Sequence, residues 1–424
     1  MKNNSKELLE IPFKNHLKFF DNYFIVNMLN YYKNQTAISD SNFFNLINND
    51  KYKISTNMNG NFYPYDSSFY LFNACESGNE VAVKYLLKHG ADINIVDIYG
   101  GTPLFNACSS GNLYLVKYLV KHGLNINKIF FRDRTPLFNV CQGGHIAILK
   151  YLMELGADIN KEDWEEETPL FYACKNGHLD IVKYLVEHGV DKNKGNSSGA
   201  TPLYIACEKG QEDVVKYLVE YGANINKEDN YGWTPLFIAC EKGHKDIAKY
   251  LVEHGVDVNK EDDYGWTPLF VACQEGHEEI VKYFVEELGA DIKKKDNDKC
   301  TPLIVASCHG HIDVMKYLVG FGANINDEDS DGDTPLNYAC KEGHNDIVKY
   351  IVEEHGVNIN KGNSKGTTPL FFSCEKGHKD IIKYLVEHGA NINKANGDGD
   401  TPLVIARKNG HQDIEIYLIE HGAK

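Results

Sequence analysis

The amino-acid sequence predicts an all-α solenoid of stacked antiparallel helix pairs, on the strength of three observations. The tripeptide Thr-Pro-Leu recurs at a nearly constant spacing, two short stretches with apolar residues at helical spacing follow each copy, and a polar, glycine-containing segment leads to the next copy. One such helix pair cannot cover its own apolar faces, whereas stacked copies can. The copies of the tripeptide begin at Thr102, Thr135, Thr168, Thr201, Thr234, Thr267, Thr301, Thr334, Thr368 and Thr401.

The spacing of these copies sets the number of repeats. It is 33 residues except at two places, where it is 34. One period before Thr102 stands a degenerate copy, Phe69-Tyr70-Leu71, whose flanks still match. We therefore expect eleven repeats over residues 66–424. Each 34-residue spacing carries one extra residue near the end of the second helix, around Glu287 and Glu354, where we expect a local extension.

The fourth repeat illustrates why each element should form. Thr168 suits an N-cap, and Pro169 follows at the first helical position, where its missing N–H costs nothing. Gly177 is able to take the left-handed conformation that ends a helix. Asp180 lies near the positive end of the second helix, and His188 with the following glycine closes it. The apolar faces are formed by Leu170, Phe171, Ala173 and Cys174, and by Ile181, Val182, Leu185 and Val186.

Residues 1–65 differ from the repeats in composition. Their first fifty residues contain eleven asparagines, and an aromatic-rich segment surrounds Phe19 to Leu29. Terminal units of solenoids are atypical, so we interpret this flank as a helical cap or a degenerate repeat that shields the first repeat. An independent binding helix and a partly disordered tail are the alternatives.

Composition and charge exclude several classes of function. The chain has 60 acidic and 44 basic residues, so its formal charge of −16 repels nucleic-acid backbones and anionic membranes. No stretch of about 18 apolar residues is present, and the first residues lack the pattern of a signal peptide. We therefore expect no nucleic-acid partner, no membrane association, and a cytoplasmic or nuclear location.

The repeat resembles the ankyrin repeat in its period, in the Thr-Pro-Leu start, in Ala-Cys where that family usually has Ala-Ala, in the Gly-His before the second helix, and in endings such as Gly222 to Asn226. The resemblance implies an ankyrin-repeat solenoid whose hairpin-like loops project to one side. It also implies that loop tips and the inner face of the first helices bind partners. One departure is systematic, because the family commonly has His after Thr-Pro-Leu and this chain mostly has an aromatic residue. These residues, which predict a more apolar packing between repeats, are Phe105, Phe138, Phe171, Tyr204, Phe237, Phe270 and Phe371.

The cysteines and histidines follow the repeat and do not converge on a catalytic site. Nine of the 11 cysteines share one register position, and equivalent positions lie about 8–10 Å apart in packed helices, too far for a disulfide. Eight of the 17 histidines follow the Gly of the Gly-His pair, and seven lie at the end of the second helix. A residue repeated in this way solves a structural problem, whereas nucleophilic catalysis needs a unique convergence of groups. The sequence therefore predicts no catalytic residue and no cofactor.

Two segments carry metal-ligand residue types without a standard spacing. Cys300 and Cys308 depart from the cysteine register and, with His309 and His311, do not match a zinc motif. The run that starts at Asp327 resembles an EF-hand loop, but the position of the bidentate Glu is Tyr338. We predict no metal site at either segment.

The loop tips just before Thr-Pro-Leu are the candidate partner-binding residues. All three tryptophans lie in these tips, next to tyrosines and acidic residues. Exposed aromatic residues with a charged rim are typical of interface hot spots, and the acidity suggests a basic partner. Duplication of the sixth and seventh repeats, with rings folded on neighbouring tips, is the alternative. The candidates are Trp164, Glu165, Glu166, Tyr231, Trp233, Asp262, Asp263, Tyr264 and Trp266.

These observations predict a non-enzymatic scaffold that binds a protein or peptide through its concave face and loop tips. We expect a monomer without a small-molecule substrate. A substrate-recruiting adaptor, for example in ubiquitin ligation, is the alternative, with residues 1–65 docking other machinery. An enzyme with a site in that flank is a second alternative, for which His16 is the lone general-base candidate.

Overall fold

The computed structural model describes residues 67–424, and in this range the chain forms 22 helices and no β-strand. The helices come in eleven consecutive pairs, one for each expected repeat, so the predicted all-α repeat solenoid is confirmed. Contacts divide the chain into two compact units, residues 1–190 and residues 191–424. The predictions for residues 1–65 lie outside the described residues.

The described part of the first unit contains four helix pairs. Within it, the first helix of each repeat packs on the first helix of the next. A short 3-10 turn, Phe131–Asp133, lies in the hairpin before α5. The helices are α1 (Ser67–Glu76) and α2 (Glu80–Lys88), α3 (Pro103–Ser110) and α4 (Leu113–Lys121), α5 (Pro136–Gly143) and α6 (Ile146–Glu154), and α7 (Pro169–Lys175) and α8 (Leu179–Glu187).

The second unit contains seven helix pairs that pack in the same way. They are α9 (Pro202–Glu208) and α10 (Glu212–Glu220), α11 (Pro235–Glu241) and α12 (Lys245–Glu253), α13 (Pro268–Gln274) and α14 (Glu278–Lys282), α15 (Pro302–Cys308) and α16 (Ile312–Gly320), α17 (Pro335–Glu342) and α18 (Asn345–His355), α19 (Pro369–Lys376) and α20 (Lys379–Glu387), and α21 (Pro402–Lys408) and α22 (Gln412–Glu420).

The helix starts follow the predicted capping pattern only in part. The Thr of each Thr-Pro-Leu has extended backbone angles at the N-cap, and the Pro begins the helix. At Thr201 the hydroxyl accepts a hydrogen bond from the Tyr204 N–H at 3.2 Å. At Thr168 no such bond forms, and the buried hydroxyl has no partner. The hydroxyls of Thr102, Thr135 and Thr234 are in the same state. The N-cap position was therefore predicted correctly, but not a capping bond at every copy.

Aromatic residues after Thr-Pro-Leu fill the interior as predicted. Phe138, Phe237 and Phe270 are completely buried, as are the leucines before them. Burying a phenylalanine side chain stabilises a fold by roughly 1.5–3 kcal/mol, so this register position contributes to the core in repeat after repeat. The packing between first helices is thus apolar at the position where the wider family places an imidazole.

The nine cysteines of the repeat register are buried as free thiols, more deeply than the half-buried position expected from the sequence. They lie in the first helices of their repeats, and each is 0% exposed. Burial raises the pKa of the Cys75 thiol to about 12, and it raises the pKa of the Cys273 thiol as well. A thiol held protonated is a poor nucleophile, so these residues act in packing.

The two extra residues are accommodated by different means. In the seventh repeat the second helix changes to a π-helical turn, Tyr283–Glu287. In the ninth repeat α18 has eleven residues instead of the usual nine, and Gly356 ends it at φ 55°. The predicted local extensions at Glu287 and Glu354 are confirmed.

Candidate partner-binding groove

The hairpin turns share one geometry, which recurs from repeat to repeat and positions the loop tips. The residue five positions before the repeat Thr is Asp or Asn in nine of the ten turns that precede a Thr-Pro-Leu. In Asp262, for example, Oδ1 accepts hydrogen bonds from the N–H groups of Tyr264 and Trp266, both at 2.9 Å. The Asp262 N–H in turn donates to the Trp266 carbonyl at 2.9 Å. Each turn is therefore closed by one side chain and its own backbone.

The exception is the turn of the third repeat, where Phe130 takes the position of the Asp or Asn. Asp133 is left-handed at φ 60°, as is the equivalent residue of the other turns, and in this turn Arg132 is left-handed as well, at φ 59°. The Phe130 ring packs on Phe105, with ring centroids 4.8 Å apart. The backbone bond from the Phe130 N–H to the Arg134 carbonyl is kept at 2.8 Å, and apolar packing replaces only the side-chain hydrogen bonds of the other turns.

Histidines of the Gly-His pair tie neighbouring repeats together. Nε2 of His277 lies 2.8 Å from the Glu241 carbonyl oxygen of the preceding repeat, and all eight histidines of this position make the equivalent contact. Because a carbonyl only accepts, the imidazole must carry its proton on Nε2. The structural role predicted from the repetition of these histidines is confirmed.

The histidines at the ends of the second helices contact residues of their own helix. His188 Nδ1 lies 2.7 Å from the Tyr184 carbonyl oxygen, and its ring stacks on the Tyr184 ring at 3.9 Å. His89, His122, His254, His388 and His421 make the same Nδ1 contact.

A groove of about 780 Å³ lies in the second unit, between the hairpin turns and the first helices of the repeats. Its floor is apolar, because aliphatic residues at the second position after Pro-Leu in several first helices line it. Ile205, Ile238 and Val305 are such floor residues, each less than a tenth exposed. Aromatic side chains from the turns form its wall: Tyr231, Trp233, Tyr264 and Trp266.

The two groove tryptophans are fixed by the turn of the following repeat. Trp233 Nε1 donates to Asp262 Oδ2 at 3.0 Å, and Trp266 Nε1 donates to Asp296 Oδ2 at 2.9 Å. The Trp233 ring also stacks on Phe237 with ring centroids 5.6 Å apart. Both indoles are half-buried, so the expectation that they are exposed was wrong. The reason is that each indole N–H binds a carboxylate in the turn of the following repeat.

Some of the other partner-binding candidates in the second unit are exposed side chains, and one is bonded within the turns. Tyr231 and Tyr264 are 60% and 64% exposed and lie on the groove wall. Asp263 is exposed next to this wall but does not line the groove. Asp262 is only 8% exposed, because it binds its own turn and Trp233. Asp262 also lines the groove, so its place among the partner-binding candidates stays a prediction, next to its role in holding the turn and Trp233.

The candidates of the fourth repeat belong to the first unit. Trp164 is 69% exposed, and the Arg132 guanidinium lies 5.8 Å from its ring centre. Glu165 pairs with Arg132 at 3.5 Å, and Glu166 is exposed with a left-handed φ of 60°. None of the three lines the groove of the second unit.

Sequence reasoning missed several lining residues. Tyr204 and Tyr338 lie in first helices, at one and two residues after Thr-Pro-Leu respectively, and Asp229 and Asp296 hold the turns. Burial raises the pKa of the Asp296 carboxyl above its ordinary range, although three hydrogen bonds to it act in the opposite direction. A signal for Tyr338 was available, because the second position after Thr-Pro-Leu varies among Asn, Tyr, Ile, Val and Phe along the array.

The metal-ligand residue types do not converge. His311 Nε2 lies 2.6 Å from the Gln274 carbonyl oxygen, and His309 Nδ1 lies 3.0 Å from that of Val305. Asp329 Oδ1 accepts the N–H groups of Asp331 and Asp333 at 2.9 and 2.8 Å, as in the other turns. Within residues 67–424, no three His, Cys, Asp or Glu side chains are grouped so as to hold a metal ion.

The fold defines an all-α repeat protein built of stacked helix pairs. A family model described as "Ankyrin repeats (3 copies)" matches the chain over residues 71–163, 161–229, 225–296, 288–363 and 355–424. The chain belongs to this family, whose members are generally non-catalytic and whose repeats indicate a protein–protein interaction scaffold.

Other comparisons add little on function. The ankyrin repeat domain of human ASB11, known from a crystal structure, is similar to this chain at 29% sequence identity and a TM-score of 0.45. The similarity covers 48% of this chain and 90% of that one. The search of curated proteins found no match. No helix within residues 67–424 has both the length and the apolar character needed to cross a membrane.

Proposed function

We propose that this chain is a non-catalytic scaffold whose second unit binds an extended, basic segment of a protein partner in the groove. The observation that carries this proposal is the pair of tryptophans at one register position of successive repeats. Trp233 and Trp266 are held by the carboxylates of Asp262 and Asp296, which fix the rings before a partner arrives. Rings fixed in advance lose little conformational entropy on binding.

The charge of the lining favours a cationic partner. Acidic residues outnumber basic ones, and cations are attracted to the faces of tryptophan and tyrosine rings. The acidic lining residues are Glu208, Asp229, Glu241, Asp262, Asp296 and Asp298, and the basic ones are Lys242 and His309. A peptide that carries arginine or lysine between apolar residues fits both the wall and the floor.

The proposed setting is a reducing compartment, the cytoplasm or the nucleus. Free buried thiols suit such a compartment, where disulfides are rare. We propose that the chain acts there as a monomer, without nucleic acid, membrane or a small-molecule substrate. The adaptor alternative depends on residues 1–65, and no observation on the described residues favours it.

A displayed library of random peptides tests the proposal. The full chain is used as bait in parallel with a variant carrying Trp233→Ala and Trp266→Ala, and with Trp164→Ala as the matched control outside the groove. We expect the selected peptides to be rich in basic residues and to be retained by the control but lost by the double variant. Equal retention by the double variant would overturn the proposal.

A further inference from the structure

We propose that the groove contains an arginine-binding position between Asp329 and Tyr338, beside Cys300. This inference deepens the proposed function and rests on it, because it names the side chain that the partner inserts. It comes from a comparison of two places in the same chain that share one register. At one of them the chain supplies its own arginine, and at the other it does not.

The occupied position lies in the first unit. Arg134, the residue before Thr135, places its Nε 3.2 Å from Asp163 Oδ2. Its guanidinium carbon lies 4.6 Å from the centre of the Tyr172 ring. The Tyr172 hydroxyl donates to the same Asp163 Oδ2 at 2.7 Å. A turn aspartate and a first-helix tyrosine thus hold one guanidinium by an ion pair and by its contact with the ring.

The same aspartate–tyrosine pair occurs in the second unit. Asp329 and Asp163 each stand five residues before the repeat Thr, and Tyr338 and Tyr172 each stand four residues after it. The Tyr338 hydroxyl donates to Asp329 Oδ2 at 2.7 Å, the same distance as in the first unit. Each aspartate also closes its turn through Oδ1.

The position of the arginine is taken here by a much shorter side chain. Cys300 precedes Thr301 as Arg134 precedes Thr135, and it ends at Sγ. Both Cys300 and Tyr338 line the groove, so this position opens onto the proposed binding surface. Beside Tyr338 the side chain at this register ends at the Cys300 thiol, which hydrogen-bonds with Tyr338. Asp329 does not itself line the groove, so an arginine of the partner would replace this thiol contact to reach the Asp329 carboxylate.

The charges around this position suit a cation. Burial, followed by the charges of Asp296, Asp329 and Asp298, raises the pKa of the Cys300 thiol to about 12. Lys341 Nζ lies 5.8 Å from the centre of the Tyr338 ring. Its register equivalent in the first unit is Lys175, which does not keep Arg134 from its place. Arginine suits the position better than lysine, because its planar fork both stacks and donates to a carboxylate.

The first arm of the test supplies the arginine within the chain. The substitution Cys300→Arg is expected to raise the urea midpoint of unfolding above that of Cys300→Gln, which has a polar side chain without the charge. Adding Asp329→Asn should remove this gain, because Asn keeps the Oδ1 acceptor of the turn, as at Asn363, and lacks the charge. The same gain with and without Asp329→Asn would overturn the proposal.

The second arm supplies the arginine from outside. The probe is a fluorescent twelve-residue peptide of glycine, serine and three arginines, compared with versions in which lysine or citrulline replaces arginine. Binding to the full chain is measured at 0.15 M salt by anisotropy. We expect the citrulline version to bind at least about tenfold more weakly and the lysine version to lie between the two. Cys300→Arg should weaken the arginine peptide by a similar factor, and Trp164→Ala, which lies outside the groove, should leave its binding unchanged.

The outcomes separate this inference from the proposed function. If Trp233→Ala with Trp266→Ala abolishes binding of the arginine peptide while Cys300→Arg leaves it unchanged, the groove binds partners and the arginine position is wrong. If the tryptophan substitutions leave binding unchanged and Cys300→Arg weakens it, the arginine position stands and the tryptophan wall is wrong. No detectable binding of the arginine peptide at 1 mM overturns the inference.

Discussion

A single aspartate in a hairpin turn does three things at once in this protein. Asp262 closes its own turn through Oδ1, holds Trp233 through Oδ2, and faces the groove. Its burial shows that a charged residue near a surface tip belongs to the architecture when every acceptor site has a donor. The positions of the side chains in the groove wall therefore depend on the hydrogen bonds of these turns.

Replacing Asp262 tests this role directly. Asp262→Ala removes three hydrogen bonds and is expected to cost about 2–3 kcal/mol of unfolding free energy, since each bond is worth about 1 kcal/mol. Asp262→Asn keeps both turn bonds, as Asn196 does in the fifth repeat, and should cost about 1 kcal/mol or less. Urea unfolding measures both. An equal loss of unfolding free energy in the two variants would contradict the assignment of Oδ1 to the turn and of Oδ2 to Trp233.

Asp296 makes a prediction about pH. Its pKa is raised in the folded state, chiefly by burial. A raised carboxyl pKa contributes stability that is present below the unfolded pKa, about 3.9, and is lost as the pH rises through the folded pKa. The unfolding free energy of Asp296→Asn, relative to the unsubstituted chain, should therefore improve from pH 3.5 to pH 7. Urea unfolding at pH 3.5 and pH 7 measures this difference. A change in the opposite direction would show that the hydrogen bonds lower the pKa of Asp296 by more than burial raises it.

The sequence predicted the tips but not the state of each side chain. Trp233 and Trp266 were correctly placed in the loop tips, yet their burial depends on a carboxylate 29 or 30 residues further along the chain. Such a contact becomes visible only when the stacking of turns is known. The Asp or Asn five residues before each Thr was present in the sequence as a regular signal and went unused.

At the scale of the helix pair, the Gly-His step joins one repeat to the next. Gly243 has φ 75°, and a Cβ at this position would meet His277 Cε1 at 2.7 Å. The glycine thus serves two needs, a left-handed backbone and a close approach by the imidazole that binds Glu241. Helix periodicity and the Gly-His pairs were enough to predict the elements, because both are local.

Gly243→Ala separates these two needs when it is compared with Gly255→Ala. Gly255 also has a positive φ of 85°, but a Cβ there would meet nothing within 4 Å. Gly255→Ala should therefore show the backbone strain alone, about 1–2 kcal/mol, and Gly243→Ala a larger loss of unfolding free energy. Adding His277→Ala to Gly243→Ala should relieve the steric part. Equal losses for the two glycine variants would mean that the imidazole moves aside freely.

The extra residues of the seventh and ninth repeats show where local prediction ends. The position of each insertion was evident from the period. Whether it becomes a π-helical turn, as at Tyr283–Glu287, or a longer helix, as in α18, depends on packing against neighbouring helices. The period of the sequence does not encode that choice.

At the scale of the whole molecule, the chain has a formal charge of −16, and part of this negative charge lies in the residues that line the groove. The register that repeats through the array makes local departures meaningful. Tryptophans at the same position of two successive repeats stand out because the other repeats provide the comparison. So does Cys300, which stands at the position that Arg134 takes in the third repeat. Family membership could be predicted from the sequence, whereas the groove required the structure.

Photo-crosslinking tests the central claim most directly. A peptide selected on the full chain is synthesised with benzoylphenylalanine at its centre, irradiated with the protein at 0.15 M salt, and the attached residues are mapped by mass spectrometry. The account predicts attachment within residues 198–338, on side chains that line the groove, and loss of attachment with Trp233→Ala and Trp266→Ala. Attachment to the second helices, or to residues of the first unit, would contradict the assignment of the groove as the partner-binding site.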